Sequence, residues 1–305
     1  MCNWESIGSV EQLERQFPTE SACAAFLTQL KWPQGFVCPR CGHGHAYLIK
    51  TRRLPLHQCR ACGYQASITT GTIMEGSRTS LRKWLTALWL VSRSDAGINA
   101  VQLRSIIQVT YKTAWLILHK IRAAISHSDA NHPLPGVVQG IVAFYGCSIP
   151  SPIQLHPKEC PLIIAESVTG SSSHTGRLKM KKVDPKHCRK KLLLPIGCDH
   201  FAAWHAENPD ETYINRFHIQ VRRNSRLYQN FRQAWRWMND TFHGIGSKYL
   251  QAYLDEFSFR YNALAEHACT MQRLLHLCMS IAIRPLLPGA SIHSLRGRSN
   301  NRKAA

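Results

Sequence analysis

Two cysteine pairs, Cys38-Pro39-Arg40-Cys41-Gly42 and Cys59-Arg60-Ala61-Cys62-Gly63, constrain this chain more than any other stretch. Each pair leaves two residues between its thiols, enough for a tight turn that brings both sulfurs to one ion. The glycine after each second cysteine suits the positive φ of such a knuckle. Four thiolates so arranged, Cys38, Cys41, Cys59 and Cys62, meet the tetrahedral demand of a closed structural Zn2+ site. Between the pairs, Ala46-Tyr47-Leu48-Ile49 and Leu56-His57-Gln58 have strand character around a turn near Arg52-Arg53. The expectation is a zinc ribbon, two knuckles joined by a hairpin too small to fold without metal. Buried free thiols or a redox pair are the alternative, and the duplicated spacing favours the metal.

The 305 residues allow two or three domains, and 44% hydrophobic content supports packed cores. Lys and Arg number 38 against 18 Asp and Glu, a formal charge of +20 that points to a polyanionic partner, DNA or RNA. A generally basic surface is the alternative. The start, Met1-Cys2-Asn3-Trp4-Glu5, lacks a basic segment followed by an apolar run, and no apolar stretch approaches a membrane span. Of 12 cysteines four belong to the ribbon and the rest are scattered, so the expected setting is a reducing cytoplasm without membrane contact.

Residues from about 9 to 31 read as helical, interrupted at Pro18. After the ribbon, Gln65 to Ile73 is β-rich and is expected to add a strand. Ser80 is placed to cap a helix from Leu81, and a break follows at Asp95-Ala96-Gly97. Then come a short helix from Asn99 to Ile107, a three-residue turn, and a longer helix from Tyr111 to Ile125. Two helices so joined describe a helix-turn-helix or an ordinary three-helix bundle. In the first reading Tyr111, Lys112 and Thr113 approach the groove of double-stranded DNA, Trp115, Leu116 and Leu118 pack behind, and Lys120 and Arg122 reach phosphates.

Several motifs together resemble one family. Phe17-Pro18-Thr19-Glu20, Trp32 to Gly42, Thr70-Gly71-Thr72-Ile73, Leu81-Arg82-Lys83-Trp84, Tyr111 to Trp115 and His119 to Arg122 are similar to the start of bacterial insertion-sequence transposases. These are the transposases with a zinc ribbon and an ISXO-like DDE domain. The resemblance resumes at Thr241-Phe242-His243-Gly244 and from Lys248 to Asn262. It implies an RNase H-like nuclease domain between those ends, binding of element-end DNA as a homo-oligomer, and Mg2+ for an active enzyme. Three acidic residues, or two with a final Asn, would hold two divalent ions for phosphoryl transfer.

The triad is where the sequence departs from that pattern. The family's first Asp position falls on Ile141, within Val138 to Gly146, with the neighbouring acids at Gln139 and Val142. The second matches Asp199, in Cys198-Asp199-His200-Phe201-Ala202-Ala203-Trp204, and the third falls near Gln233. One carboxylate is poor provision for two magnesium ions. Glu207, Asp210 and Glu211 follow Asp199 in a Pro-containing loop and are the acids nearest to substitute. Glu256 reads as scaffold on an amphipathic helix.

Between the helices and these motifs the chain looks eroded, with four prolines from Ser148 to Pro161 and a linker-like Ser171-Ser172-Ser173-His174. Arg177 to Val183 reads as a strand with one charged face. With Lys186, Arg189, Lys190 and Lys191 it forms the most basic patch, either solvated or facing a DNA backbone. His187, Cys188, Cys198 and His200 match no familiar metal spacing. The end, Arg296 to Lys303, is a basic tail expected to be disordered.

The expected fold is α+β and multidomain. Residues 1–76 hold the N-terminal helix and ribbon, 77–130 the helix-turn-helix, 131–262 an eroded RNase H-like α/β domain, and 263–305 a C-terminal helix and tail. Function then lies among an active transposase, a catalytically dead descendant that still binds DNA, and a zinc-ribbon transcription-type module.

Overall fold

Residues 4–93, 97–146, 151, 153–168 and 176–281 are described by the computed structural model of the chain. The expectations for Asp95-Ala96, for the first residues after Ser148, for Ser171 to His174 and for the Arg296 to Lys303 tail fall outside them.

Short polar side chains set the helix starts. Ser9 and Thr19 open α1 (Val10–Gln16) and α2 (Glu20–Lys31), their hydroxyl oxygens accepting from the N–H groups of Gln12 and Ala22. Ser80 opens α3 (Leu81–Ser92), where Glu20 adds a second cap by accepting from Leu81 N at 2.8 Å and Arg82 N at 3.3 Å. Asn99 and Gln102 form a reciprocal capping box at α4 (Ala100–Ile107). A turn with Gln108 at φ 50° leads to α5 (Tyr111–Ala130), capped by Thr110. Lys83 Nζ donates to Gln108 O at 2.8 Å and fixes that turn.

The ribbon is a three-stranded antiparallel sheet of β1 (Ala46–Ile49), β2 (Leu56–Cys59) and β3 (Gln65–Ser67), in that order. The third strand is shorter than the β-rich run to Ile73 suggests, because lysines take the carbonyls beyond it. Lys31 Nζ donates to Ser67 O, Ile68 O and Thr70 O, and Lys120 Nζ donates to Ile73 O and Glu75 O. This corrects the role expected for Lys120: its ammonium holds the Ile73–Glu75 turn instead of reaching a phosphate.

A second sheet is built from β4 (Val137–Tyr145), β5 (Cys160–Val168) and β6 (Leu178–Lys182). A short pair, β7 (Cys188–Arg189) with β8 (Leu192–Leu193), then α6 (Pro195–His205), lead to its last strand, β9 (Thr212–Asn215). The order is β6-β5-β4-β9; β4 pairs antiparallel with β5 and parallel with β9, and β5 antiparallel with β6. Alternate residues of β4 face opposite cores. Ile141, Ala143 and Tyr145 pack under α7 (Arg226–Phe242) and α8 (Leu250–Ala265), while Val138, Val142 and Phe144 join Phe201 of α6. Gly140 lies where β9 comes closest, since a Cβ there would sit 3.1 Å from Ile214 Cγ1 and 3.3 Å from Ala165 Cβ. The chain then returns: α9 (Thr270–Ser280) places Met271, Leu274, Leu275 and Cys278 in the same core as Leu27, Trp84, Leu88 and Ile117. Among the described residues no helix is long and apolar enough to cross a membrane.

α8 supplies what the open edge of β6 lacks. Asn262 accepts from Leu178 N and donates to Leu178 O, at 2.8 and 2.9 Å, and Gln251 does the same for Lys182 N and Met180 O. Side-chain amides thus stand in for a missing neighbouring strand. Two of the three β6 lysines are buried too, and Lys182 is exposed. Lys179 is bound to Asp129 O and Oδ2, and Lys181 lies 2.5 Å from Asp129 Oδ2 and 2.7 Å from Asp255 Oδ1. Lys191 is buried against Glu159 at 2.7 Å. The basic patch read from the sequence is therefore corrected in part: Lys179, Lys181 and Lys191 are buried against acids, because only paired ammonium groups survive burial, while Lys182, Lys186, Arg189 and Lys190 stay exposed. Burial works against ionisation of Asp129, but Lys181 and Lys179 outweigh it and hold its carboxyl at about 2.

Arg122 is corrected in the same way. Its Nε lies 2.6 Å from Glu256 Oε2, both side chains are buried, and its guanidinium stacks 4.0 Å from the Tyr253 ring. Leu116, expected behind the helix, is exposed. Arg122 Nη2 and Glu256 Oε1 have no hydrogen-bond partner, so the pair contributes little net energy intact but is costly to break. Glu256→Gln should therefore lower the unfolding free energy by about 3–5 kcal/mol, seen as a drop in the urea midpoint. Replacing both partners, Arg122→Met with Glu256→Leu, should recover most of that loss.

Candidate functional site

The two knuckles of the ribbon are superimposable in their hydrogen bonding. Cys38 N donates to His43 O and Gly42 N to Cys38 O; Cys59 N donates to Tyr64 O and Gly63 N to Cys59 O, all within 2.9–3.0 Å. Gly42 and Gly63 take φ of 74° and 67°, the left-handed geometry that suits glycine. The sulfurs of Cys38, Cys41, Cys59 and Cys62 lie within 4.8 Å of one another, and the Cys38–Cys62 and Cys41–Cys59 pairs are each 3.6 Å apart. A tetrahedron with Zn–S bonds of about 2.3 Å has edges of roughly 3.8 Å, so the donor set fits this ion.

The thiols also need a cation electrostatically. Burial pushes Cys38 up, but the N–H groups of Arg40 and Cys41 outweigh it and hold the thiol at about 7. At Cys41 the His43 N–H pulls down, while the crowding sulfurs of Cys62, Cys59 and Cys38 push it up to about 12. A bound cation favours the thiolate form that metal ligation needs. Among the described residues this is the one such cluster of three or more metal-binding side chains, and His187, Cys188, Cys198 and His200 do not form a second.

A second feature is an open depression of about 700 Å³ at the β4–β9 junction. Gln139 to Ile141 of β4, Thr212 to Arg216 at β9, Pro195, Cys198 and Asp199 of α6, and Ser225 and Leu227 at the start of α7 line it. Ile141 stands directly opposite Asn215 in the parallel register. Asp199 is exposed on the first turns of α6. Burial pushes the neighbouring Cys198 thiol up to about 11, with Arg216 pulling against it and Asp199 acting with it.

Gln233 is exposed two turns along α7 from Ser225 and is absent from this lining. Glu207, Asp210 and Glu211 are exposed ahead of β9 and also lie outside it. The depression thus offers one carboxylate, at Asp199, amides at Gln139 and Asn215, and the hydroxyls of Thr212, Tyr213 and Ser225. That donor set does not fit a pair of hard divalent ions, which take oxygen ligands from several acids. Asn215 and Arg216 escaped the sequence reading, although Thr212-Tyr213-Ile214 is β-favouring and sits just after a Pro-containing turn.

The α4–α5 pair presents a third surface. Tyr111 and Lys112 are exposed at the start of α5, beside Arg104 and Val101 of α4. Thr113 is half-buried, its hydroxyl 2.9 Å from that of Thr110. Trp115 packs on His119, which meets Tyr249 at the start of α8. Of the five residues expected to meet DNA, the structure therefore groups Tyr111, Lys112 and Thr113 and separates Lys120 and Arg122.

Purified protein should carry one zinc per chain. The double variant Cys38→Ser, Cys59→Ser should lose it and lose the ordered ribbon, checked by metal analysis and amide exchange. Stoichiometric zinc in that variant would rule out this ligand set.

Known proteins share both parts. Residues 18–65 match the model of the transposase zinc-ribbon domain, and residues 195–262, from α6 through α8, match that of the ISXO2-like transposase domain. An uncharacterized protein in transposable element ISH50 of Halobacterium salinarum is 32% identical over 133 residues. That alignment spans 43% of this chain and 43% of the relative. No solved structure matches significantly. In its ribbon and in its DDE-type domain, the chain resembles the zinc-ribbon, ISXO2-like transposases of insertion sequences.

Proposed function

We propose that this is a transposase-type protein that binds double-stranded DNA, such as element ends, and does not cut it. The observation that carries the reading is the lining of the β4–β9 depression, where Ile141 faces Asn215 and Asp199 is the single carboxylate. The antiparallel β6-β5-β4 run with β9 added parallel to β4 supports an RNase H-like sheet. In that sheet the depression occupies the place where acids of neighbouring elements would hold metal. An isoleucine offers no oxygen, and an amide is a weaker ligand than a carboxylate for a hard cation. Among the described residues, the two-metal clamp on attacking and leaving oxygens then has no adequate support.

DNA binding is assigned to the α4–α5 pair as a helix-turn-helix. Tyr111 and Lys112, exposed at the start of the second helix, meet the groove, and Thr113 serves the helix cap. A homo-oligomer on DNA is part of the same reading. An unrelated zinc-ribbon module is disfavoured, because similarity extends beyond the ribbon to α8.

The full chain should bind duplex DNA with an affinity that falls steeply as salt rises. Lys112→Ala should weaken binding by about 1 kcal/mol, the scale of one lost contact. With Mg2+ or Mn2+, neither the parent nor Asp199→Ala should cleave a labelled element end. Robust cleavage abolished by Asp199→Ala would overturn the inactive reading.

A further inference from the structure

The ribbon sheet carries a set of side chains that neither the zinc site nor the depression uses. Tyr47, Gln58 and Gln65 stand opposite one another across β1, β2 and β3, and directly opposed residues share one face of a sheet. The neighbouring row, Leu48, His57 and Ala66, belongs to the other face. There Ala66 is fully buried, His57 stacks on Phe36 at 5.4 Å, and Trp32 meets His57 edge-on. Packing therefore occupies the His57 and Ala66 part of the inner face, with Leu48 at its open edge 49% exposed, and leaves the Tyr47 row outside. Tyr47 is 59% exposed, and the Arg60 guanidinium lies 4.7 Å from its ring centroid.

The charge around this row is of one sign. From Cys38 to Gln65 the chain has Arg40, Lys50, Arg52, Arg53 and Arg60 but no Asp or Glu, and all five cations are exposed. Cations alone would suffice for a duplex backbone, whose bases keep their faces stacked inside. An exposed ring beside a guanidinium, in one row with two amides, fits an unpaired base better. The base face stacks on aromatic or guanidinium planes, and its edge exchanges hydrogen bonds with amides, which both donate and accept.

We propose that the outer face of the ribbon sheet binds unpaired nucleotides of a DNA strand, with Tyr47 and Arg60 as the stacking platform and Gln58 and Gln65 contacting base edges. This site is separate from the duplex contact of α4–α5, and it rests on the nucleic-acid reading only for the class of partner.

The test uses the full zinc-loaded chain and two labelled probes, a blunt duplex and the same duplex with a short single-stranded tail. The parent should bind the tailed probe more tightly. Tyr47→Ala should weaken tailed-probe binding about tenfold, within the worth of one base–aromatic stack, with zinc content and blunt-duplex binding unchanged. Tyr47→Phe, which keeps the ring, should bind like the parent. Equal parental affinity for the two probes would overturn the proposal, as would a Tyr47→Ala variant that retains tailed-probe affinity or loses both probes equally. A parent that binds neither probe would overturn both this site and the nucleic-acid reading. Blunt-duplex binding without a tail preference would overturn this site alone.

Discussion

Lys181 lies between two carboxylates, Asp129 at the end of α5 and Asp255 in the middle of α8, and the arrangement of helices around the sheet depends on that buried cation. Lys179 adds a second ammonium on Asp129, and Arg122 meets Glu256 one helical stretch earlier on α5. Burial pulls the Lys179 ammonium down to about 8, against the upward pull of Asp129. These charges are tolerated because each faces an opposite one, and removing a single partner strands the other in the interior. The consequence is geometric. α5, whose first turn presents Tyr111 and Lys112, is fixed at its far end to β6 and α8. A molecule docked on the α4–α5 turn would thus be held at a defined orientation to the depression beside β4.

The two candidate centres differ in how well their donors fit an ion. In the ribbon, duplicated knuckles deliver four sulfurs at separations close to those of a zinc tetrahedron, and their mutual crowding is relieved by a divalent cation. At the β4–β9 junction the backbone places neighbouring strand ends side by side, but the side chains delivered are Ile141 and Asn215. Framework and ligands have separated there. A fold is kept by packing, whereas chemistry lives in a few side chains of a site, so the two can vary independently.

Local signals made the N-terminal half legible. The CxxC pairs, the caps at Ser9, Thr19, Ser80 and Asn99, and the short turn after Ile107 each act within a few residues, so the chain displays them directly. The sheet was harder to read. β5 and β9 were missed, because Leu162 to Ala165 is buried on both faces and lacks alternation, while Thr212 to Asn215 is short and follows a proline turn. α6 has no start signal of the usual kind, since no side chain caps it and Pro195, which looks like a break, serves as a first helical residue. The charge pattern misled most. Lys120, Arg122, Lys179, Lys181 and Lys191 look like a DNA-facing surface in sequence, but acids from α5, α8 and the β5 approach take the last four inside, and backbone carbonyls hold the half-buried Lys120. Long-range pairing of this kind leaves no local trace.

A sheet body that keeps its shape but lacks the carboxylates for a divalent-metal centre should leave Mn2+ unbound. Titrating the zinc-loaded full chain with Mn2+ and following free Mn2+ by electron paramagnetic resonance tests this without relying on DNA or turnover. The expected result is no saturable Mn2+ site, with the Asp199→Ala variant indistinguishable from the parent. A stoichiometric Mn2+ site that disappears in Asp199→Ala would contradict it.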